Sequence, residues 1–174
     1  MITPENTKIP CLGTPLHRSP LLLNTITDDY ISNYVPDDAR IRHDIEVAPG
    51  APKDREVLFE KAGPREHLFF DPKTSKAAIV TCGGLCPGLN NVIRSAFFEL
   101  RHNYGVPEVL GIRYGYQGLN PAVGQPPIPL SAEFVDRIHE EGGTALGSSR
   151  GPQEPAVVID FLVRQGVNML FCVG

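Results

Sequence analysis

The sequence predicts an α/β fold: a Rossmann-like parallel sheet with flanking helices, preceded by a proline-rich N-terminal arm. Two observations support this prediction. Nine prolines fall within residues 1–76 and break any long regular element there. From residue 77 onward, apolar runs alternate with glycine-bearing loops and helical stripes, which is typical of successive strand–helix units. We therefore divide the chain into an arm, residues 1–76, and an α/β domain, residues 77–174.

The arm carries apolar stretches too short to build a core alone, such as 21–23 and 57–59. We expect it to pack over other parts of the protein, with one or two short strands. Residues 35–40 read as a turn or a helix start. The alternative for residues 1–20 is disorder, which is common at chain termini.

The α/β domain opens with a continuous apolar run at 77–82, as expected of a strand buried on both faces. Pro87-Gly88 then begins a helix that ends near Gly105. Its apolar residues recur at offsets of three and four: Leu89, Val92, Ile93, Ala96, Phe97 and Leu100. A second strand follows at 109–112. This strand–helix–strand order implies a parallel pair with a right-handed crossover.

The later elements repeat the pattern. Ser131 is placed as the start of a helix that ends before Gly142, and residues 144–147 form a short extended piece. A helical face at 157–162 ends at Gly166, and 167–173 is a third buried strand. Since ligand loops follow strand ends in open α/β sheets, we expect the sequence to be a truncated form of a longer protein.

Composition excludes several function classes. The net charge of −4 offers no basic field for nucleic acid or anionic membranes, and no apolar run is long enough to span a bilayer. Residues 1–10 lack a secretory signal, so a cytoplasmic location with reduced thiols is expected. The cysteines match no zinc pattern, and we expect Cys82 and Cys172 to pack as buried apolar groups and Cys86 to be exposed.

Three glycine-bearing loops are candidates for ligand binding. The glycine loop, residues 81–90, lets backbone approach a ligand and precedes a helix N-terminus that suits phosphate, although it is no Walker A loop. The arginine loop, residues 142–152, offers Arg150 as a fork for phosphate oxygens. The tyrosine loop, residues 111–119, offers rings for stacking on a base or ribose. The alternatives are a plain tight turn, a solvated arginine, and tyrosines that cap the sheet edge.

Together the loops resemble a known family. The stretch Thr-Cys-Gly-Gly-Leu-Cys-Pro-Gly-Leu-Asn-Asn-Val-Ile-Arg at 81–94 resembles the opening signature of phosphofructokinases. Residues 115–119 and 142–152 resemble the second and third loops of that family, in matching order and spacing. The arm, at 34–38 and 62–66, is similar to the long ATP-dependent group of plants, trypanosomatids and some bacteria. The resemblance implies an incomplete phosphofructokinase fold, with 77–174 as the first part of its nucleotide-binding domain.

The resemblance implies the activity of a glycolytic 6-phosphofructokinase, which moves a phosphoryl group from ATP, with Mg2+, to the 1-hydroxyl of fructose 6-phosphate. It implies a cytoplasmic homo-oligomer, a dimer or tetramer, without nucleic-acid or membrane partners. Pyrophosphate as donor, or a non-catalytic nucleotide-binding or regulatory module, are the alternatives. The implied site residues are Gly83 and Gly84 against the donor phosphates, Tyr116 at the adenine-nucleotide pocket, Arg150 as catalytic and phosphate-binding group, and Gly151 lining the nucleotide.

Some parts of the family pattern are not among these 174 residues. The Gly-Gly-Asp-Gly loop with the magnesium aspartate is expected to begin at Gly174, and the Thr-Ile-Asp-Asn-Asp segment with the catalytic base lies further on. No metal ligand is therefore assigned here. The short bacterial enzymes carry two effector-site arginines, four residues apart, on the first helix. Arg94 matches the first of them, but Phe98 stands at the position of the second, so regulation by ADP or phosphoenolpyruvate is not expected here.

The purified 174-residue chain is expected to transfer no phosphate, because both catalytic aspartates implied by the resemblance are outside it. An assay of ADP release from ATP in the presence of fructose 6-phosphate checks this, with a full-length phosphofructokinase as positive control. Measurable turnover by the 174-residue species would contradict the prediction.

Overall fold

The computed structural model describes residues 2, 3, 5–25, 32–45 and 57–174. Within it the chain divides into two compact units, Met1–Phe69 and Phe70–Gly174. The first contains most of the proline-rich segment, and the second contains all three glycine-bearing loops.

The first unit contains short strands only. They are β1 (His17–Arg18), β2 (Arg40–Arg42), β3 (Leu58–Glu60) and β4 (His67–Leu68). β1 pairs with β4 and β2 with β3, both antiparallel. This exceeds the one or two strands predicted, because elements of two or three residues are too short to show a period in the sequence. Residues 35–40 include a turn, closed by a 3.1 Å bond from the Ala39 amide to the Pro36 carbonyl.

Arg65 joins separate segments of the first unit. Its side chain is only 18% exposed. The guanidinium donates to the carbonyl oxygens of Val35, Pro36 and Lys61 at 2.9, 2.6 and 2.6 Å, and lies 3.1 Å from the Glu60 carboxylate. Since these partners lie before and after the undescribed stretch 46–56, one side chain connects both sides of it.

Replacing Arg65 with alanine is expected to destabilise the first unit by about 2 kcal/mol, because several carbonyl groups lose a charged donor. Limited proteolysis within residues 1–69 checks this, with faster cleavage expected. Arg18→Ala is the matched control, since Arg18 is 78% exposed and its ion pair with Glu66 is 3.7 Å long. Equal cleavage rates of the two variants would contradict the prediction.

The second unit contains the α/β sheet. Its elements are β5 (Lys76–Thr81), α1 (Leu89–Phe98), β6 (Glu108–Ile112), β7 (Ile128–Pro129), α2 (Ala132–Asp136), α3 (Pro155–Gln165) and β8 (Met169–Val173). A π-helical turn continues α1 over Glu99–Asn103, and 3-10 turns cover Pro72–Thr74, Gly115–Leu119 and Ile138–Glu140. The strand order is β7-β6-β5-β8, with β5 parallel to both neighbours and β7 antiparallel to β6.

The predicted α/β class is confirmed, and the three long strands and the main helices lie close to their predicted positions. The prediction missed β7, a two-residue edge strand containing Pro129, which is tolerated only where no ladder bond is needed. Residues 144–147 form a turn rather than an extended piece, closed by the bond from the Gly147 amide to the Thr144 carbonyl. Ser131 caps α2 as predicted, accepting from the Phe134 amide at 3.1 Å, but α2 is only five residues long.

β5 is buried on both faces, as its apolar sequence predicted. Ala77 and Ile79 belong to a core cluster shared with Ile93 and Phe97 of α1. Ala78 and Val80 belong to a second cluster on the opposite face, which includes Phe161 of α3. No helix in the described part of the chain is long and apolar enough to cross a membrane.

β8 is less buried than predicted. Among the described strands it pairs only with β5, so its other edge takes no partner there. Phe171 is 38% exposed and Cys172 is exposed. The prediction that Cys172 packs as a buried apolar group is therefore wrong, because a strand at the edge of a sheet leaves side chains uncovered even when its sequence is continuously apolar.

Candidate functional site

A cleft lies where the glycine loop leaves the carboxyl end of β5 and meets the arginine loop. Its volume is about 410 Å³. The lining residues are small or polar with one apolar exception, a leucine: Gly83, Gly84, Leu85, Thr144, Gly147, Ser148, Ser149 and Arg150. The carboxyl end of a parallel strand is the position where α/β folds bind ligands.

The two walls of the cleft are bonded to each other. The Gly83 amide donates to the Ser149 carbonyl at 3.2 Å, and the Ser148 hydroxyl donates to the Gly83 carbonyl at 2.8 Å. Gly83 has a φ of +79°, a left-handed conformation that favours glycine. The glycine and arginine loops therefore form one continuous hydrogen-bonded surface.

The tyrosine loop packs against the back of the arginine loop. The Tyr114 amide donates to the Leu146 carbonyl at 2.8 Å, with Tyr114 itself at φ 58° and ψ 50°. A Cβ on Gly147 would lie 2.7 Å from the Tyr114 ring, and one on Gly115 would lie 2.8 Å from the Ser149 amide nitrogen. Such separations exclude side chains, so both positions need glycine for the loops to approach.

Arg150 supplies an unpaired cation at the cleft. Its side chain is exposed and makes no hydrogen bond or ion pair within the residues that the structure describes. One guanidinium nitrogen lies 4.0 Å from the point where a Cβ on Gly84 would stand, so the missing side chain leaves open space beside the cation.

Backbone donors add to this charge. Six amides of the lining residues donate to no group in the described ranges: those of Gly84, Leu85, Thr144, Ser148, Ser149 and Arg150. None of the eight lining residues carries a carboxylate. Free N–H groups and a guanidinium, without opposing negative charge, suit an anion with several oxygens, such as a phosphate chain.

Three of the five sequence-predicted site residues meet in the cleft: Gly83, Gly84 and Arg150. Gly151 follows directly along the chain but is outside the lining, at φ 103° with open space where a Cβ would be. Tyr116 is also outside the lining. The roles given to these five residues stay predictions.

Tyr116 is engaged through its hydroxyl. The Cys82 and Cys172 thiols interact with the hydroxyl and raise the pKa of Tyr116 to about 12. Its ring packs on the core cluster that contains Cys82 and Leu119.

Sequence reasoning missed three polar residues that support the cleft: the buried Thr81 and Asn90 and the partly buried Thr144. Thr81 and Asn90 are 0% and 2% exposed, and all three side chains hydrogen-bond within or onto the segment 141–147. A signal existed, because a threonine that ends an apolar strand and an asparagine on the buried side of a helix both need partners.

Comparisons with known proteins agree on one family. A family model described as Phosphofructokinase matches residues 76–174. The ATP-dependent 6-phosphofructokinase of Borreliella burgdorferi is 42% identical over 168 residues, 96% of this chain and 37% of that protein. That of Trypanosoma brucei brucei is 49% identical over 118 residues, 68% of this chain and 24% of that protein. ATP-dependent 6-phosphofructokinase 7 of Arabidopsis thaliana is 37% identical over 160 residues, 92% of this chain and 32% of that protein.

A solved structure supports the fold. The crystal structure of a pyrophosphate-dependent phosphofructokinase from Marinobacter aquaeolei aligns with a TM-score of 0.50 at 20% identity, covering 56% of this chain and 25% of that one. The chain thus spans less than two fifths of the length of these curated relatives.

Alkylation with iodoacetamide is expected to modify Cys86 before Cys82. Cys86 is exposed in the glycine loop, whereas Cys82 is buried and burial raises the pKa of its thiol. A raised pKa lowers the thiolate fraction, so modification of Cys82 should need a higher pH. Peptide mass mapping over time at pH 7 and pH 9 measures both rates. In urea the two cysteines should react alike, and equal rates in the native chain would contradict the prediction.

Proposed function

Since the chain belongs to the phosphofructokinase family, we propose that its cleft holds the phosphate chain of ATP during transfer to the 1-hydroxyl of fructose 6-phosphate. The observation that carries this proposal is the unpaired Arg150 guanidinium beside the side-chain-free Gly83-Gly84 backbone. The activity is that of a longer protein, of which these residues form the first wall of the donor site.

The chemistry of the cleft fits the needs of phosphoryl transfer. The transferred group carries its charge on three equatorial oxygens, so catalysis depends on positioning and on stabilising negative charge. Arg150 offers a planar fork of donors for two of these oxygens. Gly84 lets the chain of phosphates lie close to the backbone amides, where any larger residue would occupy the space near the guanidinium.

Gly151 and Tyr116 are proposed to line the nucleoside end of the donor. Gly151 directly follows Arg150, and Tyr116 belongs to the loop that packs against the arginine loop. Because the Tyr116 hydroxyl interacts with the Cys82 and Cys172 thiols, we assign its contribution to the ring rather than to the hydroxyl.

ATP is the donor favoured over pyrophosphate. The curated relatives named above are all ATP-dependent 6-phosphofructokinases, at identities of 37% to 49%. The solved pyrophosphate-dependent protein is only 20% identical, a likeness that supports the fold and not the donor.

We assign no metal ligand to this chain. The cleft lining has no carboxylate, and in the described ranges no three His, Cys, Asp or Glu side chains come together as a metal site. The predicted Mg2+ therefore does not fit these residues as its holders. The homo-oligomer and the cytoplasmic location stay predictions that rest on the family.

Arg150→Ala is expected to weaken ATP binding by the 174-residue chain at least tenfold, since a charge-assisted contact contributes about 1.5–3 kcal/mol. Arg150→Lys should recover part of the affinity, because it restores charge without the planar fork. Isothermal titration with ATP and, separately, with pyrophosphate measures these affinities.

Arg164→Ala is the matched control, because Arg164 is a 67% exposed arginine of α3 whose ion pair lies within its own helix. Its ATP affinity should equal that of the unmodified chain. An unmodified chain that binds no ATP at millimolar concentration would overturn the proposal, as would an Arg150→Ala variant that binds normally. Tighter binding of pyrophosphate than of ATP would overturn the choice of donor.

A further inference from the structure

We infer that Thr81 is a positioning residue: its buried hydroxyl, with Thr144, sets the place of the arginine loop and so of Arg150. The inference rests on the proposed function for the identity of the ligand. Its geometric part, that Thr81 holds the arginine loop, stands on the hydrogen bonds alone.

Thr81 connects to both walls of the cleft. It is the last residue of β5 and is fully buried, and its backbone continues through Cys82 into Gly83. Its Oγ1 donates to the Gly147 carbonyl at 2.8 Å. One residue therefore begins the glycine loop through its main chain and holds the arginine loop through its side chain.

The direction of the hydrogen bonds follows from counting protons. A hydroxyl has one proton, and that of Thr81 is used on the Gly147 carbonyl. In the 2.9 Å contact between the two threonine hydroxyls, Thr144 is therefore the donor. The Thr144 oxygen in turn accepts from the Leu146 amide at 3.3 Å. The result is a directed chain from the Leu146 amide through both hydroxyls to the Gly147 carbonyl.

Asn90 provides a second attachment from the first turn of α1. Its Nδ2 donates to the Glu141 carbonyl at 3.1 Å, and its Oδ1 accepts from the Ala145 amide at 2.7 Å. The arginine loop is thus held at both ends of the segment 141–147. Arg150 lies only three residues beyond Gly147, so its position follows from where this segment is held.

Valine in place of Thr81 keeps the shape of the side chain and removes the hydroxyl. The Gly147 carbonyl then loses its donor, and the Thr144 hydroxyl loses its acceptor. Because Thr81 is fully buried, water does not readily replace it there, and the loop must shift or loosen to satisfy these groups. No group that we assign to ligand contact has been altered.

The experiment compares Thr81→Val, Thr81→Ser and Thr74→Val with the unmodified chain. Thr81→Ser retains the hydroxyl and is the conservative rescue. Thr74→Val makes the same chemical change at an exposed residue of the Pro72–Thr74 turn. Hydrogen–deuterium exchange of peptides covering 142–150 reports loop position without any ligand, and isothermal titration with ATP reports the consequence for binding.

Thr81→Val is expected to raise exchange of 142–150 about tenfold and to lower ATP affinity by a similar factor, with β6 and α1 peptides unchanged. Thr81→Ser should restore both values, and Thr74→Val should alter neither. If exchange of 142–150 in Thr81→Val equals that of the unmodified chain, the inference is overturned whatever the affinity.

Two further outcomes separate this inference from the proposed function. Raised loop exchange in a chain whose unmodified form binds no ATP supports the positioning role and rejects the proposed function. If Thr81→Val unfolds throughout, Thr144→Val takes its place, since it removes the partner hydroxyl and leaves β5 intact. Unaltered exchange of 142–150 in Thr144→Val then overturns the inference.

Discussion

The arrangement of the second unit depends on the burial of β5. This strand is paired along both edges, with β6 and β8, and covered on both faces by α1 and α3. This packing fixes the position of the β5 backbone, and with it the position of the residue at the carboxyl end of the strand. That residue is Thr81, which explains how a loop of glycines with little conformational preference of its own leaves the sheet in a defined direction.

Much of this architecture was predictable because the spacing of apolar residues along the sequence indicates it. Each of these elements has a signal in its own local sequence. The signals are the apolar run of β5, the apolar offsets of three and four in α1, and the glycine that follows α3. The features that were missed depend on neighbours. Pro129 is part of a strand only because β7 pairs with β6. Cys172 is exposed because no described strand pairs with the outer edge of β8.

The candidate site divides in the same way. Gly83, Gly84 and Arg150 were named from loop composition and family resemblance, and the structure brings them together. The bonds that hold them could not be read from the sequence, since Thr81 meets Thr144 and Gly147 at separations of 63 and 66 residues. A threonine and an asparagine without a recognisable motif become identifiable only when their partners are known. The role of Arg65 in the first unit could not be predicted for the same reason, since it bonds to carbonyl groups 29 and 30 residues away.

The reciprocal bonds between Gly83 and the two serines have a consequence for synthesis. The glycine loop leaves the ribosome more than sixty residues before the arginine loop does, and β5 gains its second neighbour only with β8. Contacts of long sequence separation form late, after the loop between them has been closed. A nascent chain therefore exposes its glycine loop for several seconds, at about 5–20 residues per second, before a cleft exists around it. The cleft therefore depends on a segment made well after the glycine loop, and not on the glycine loop alone.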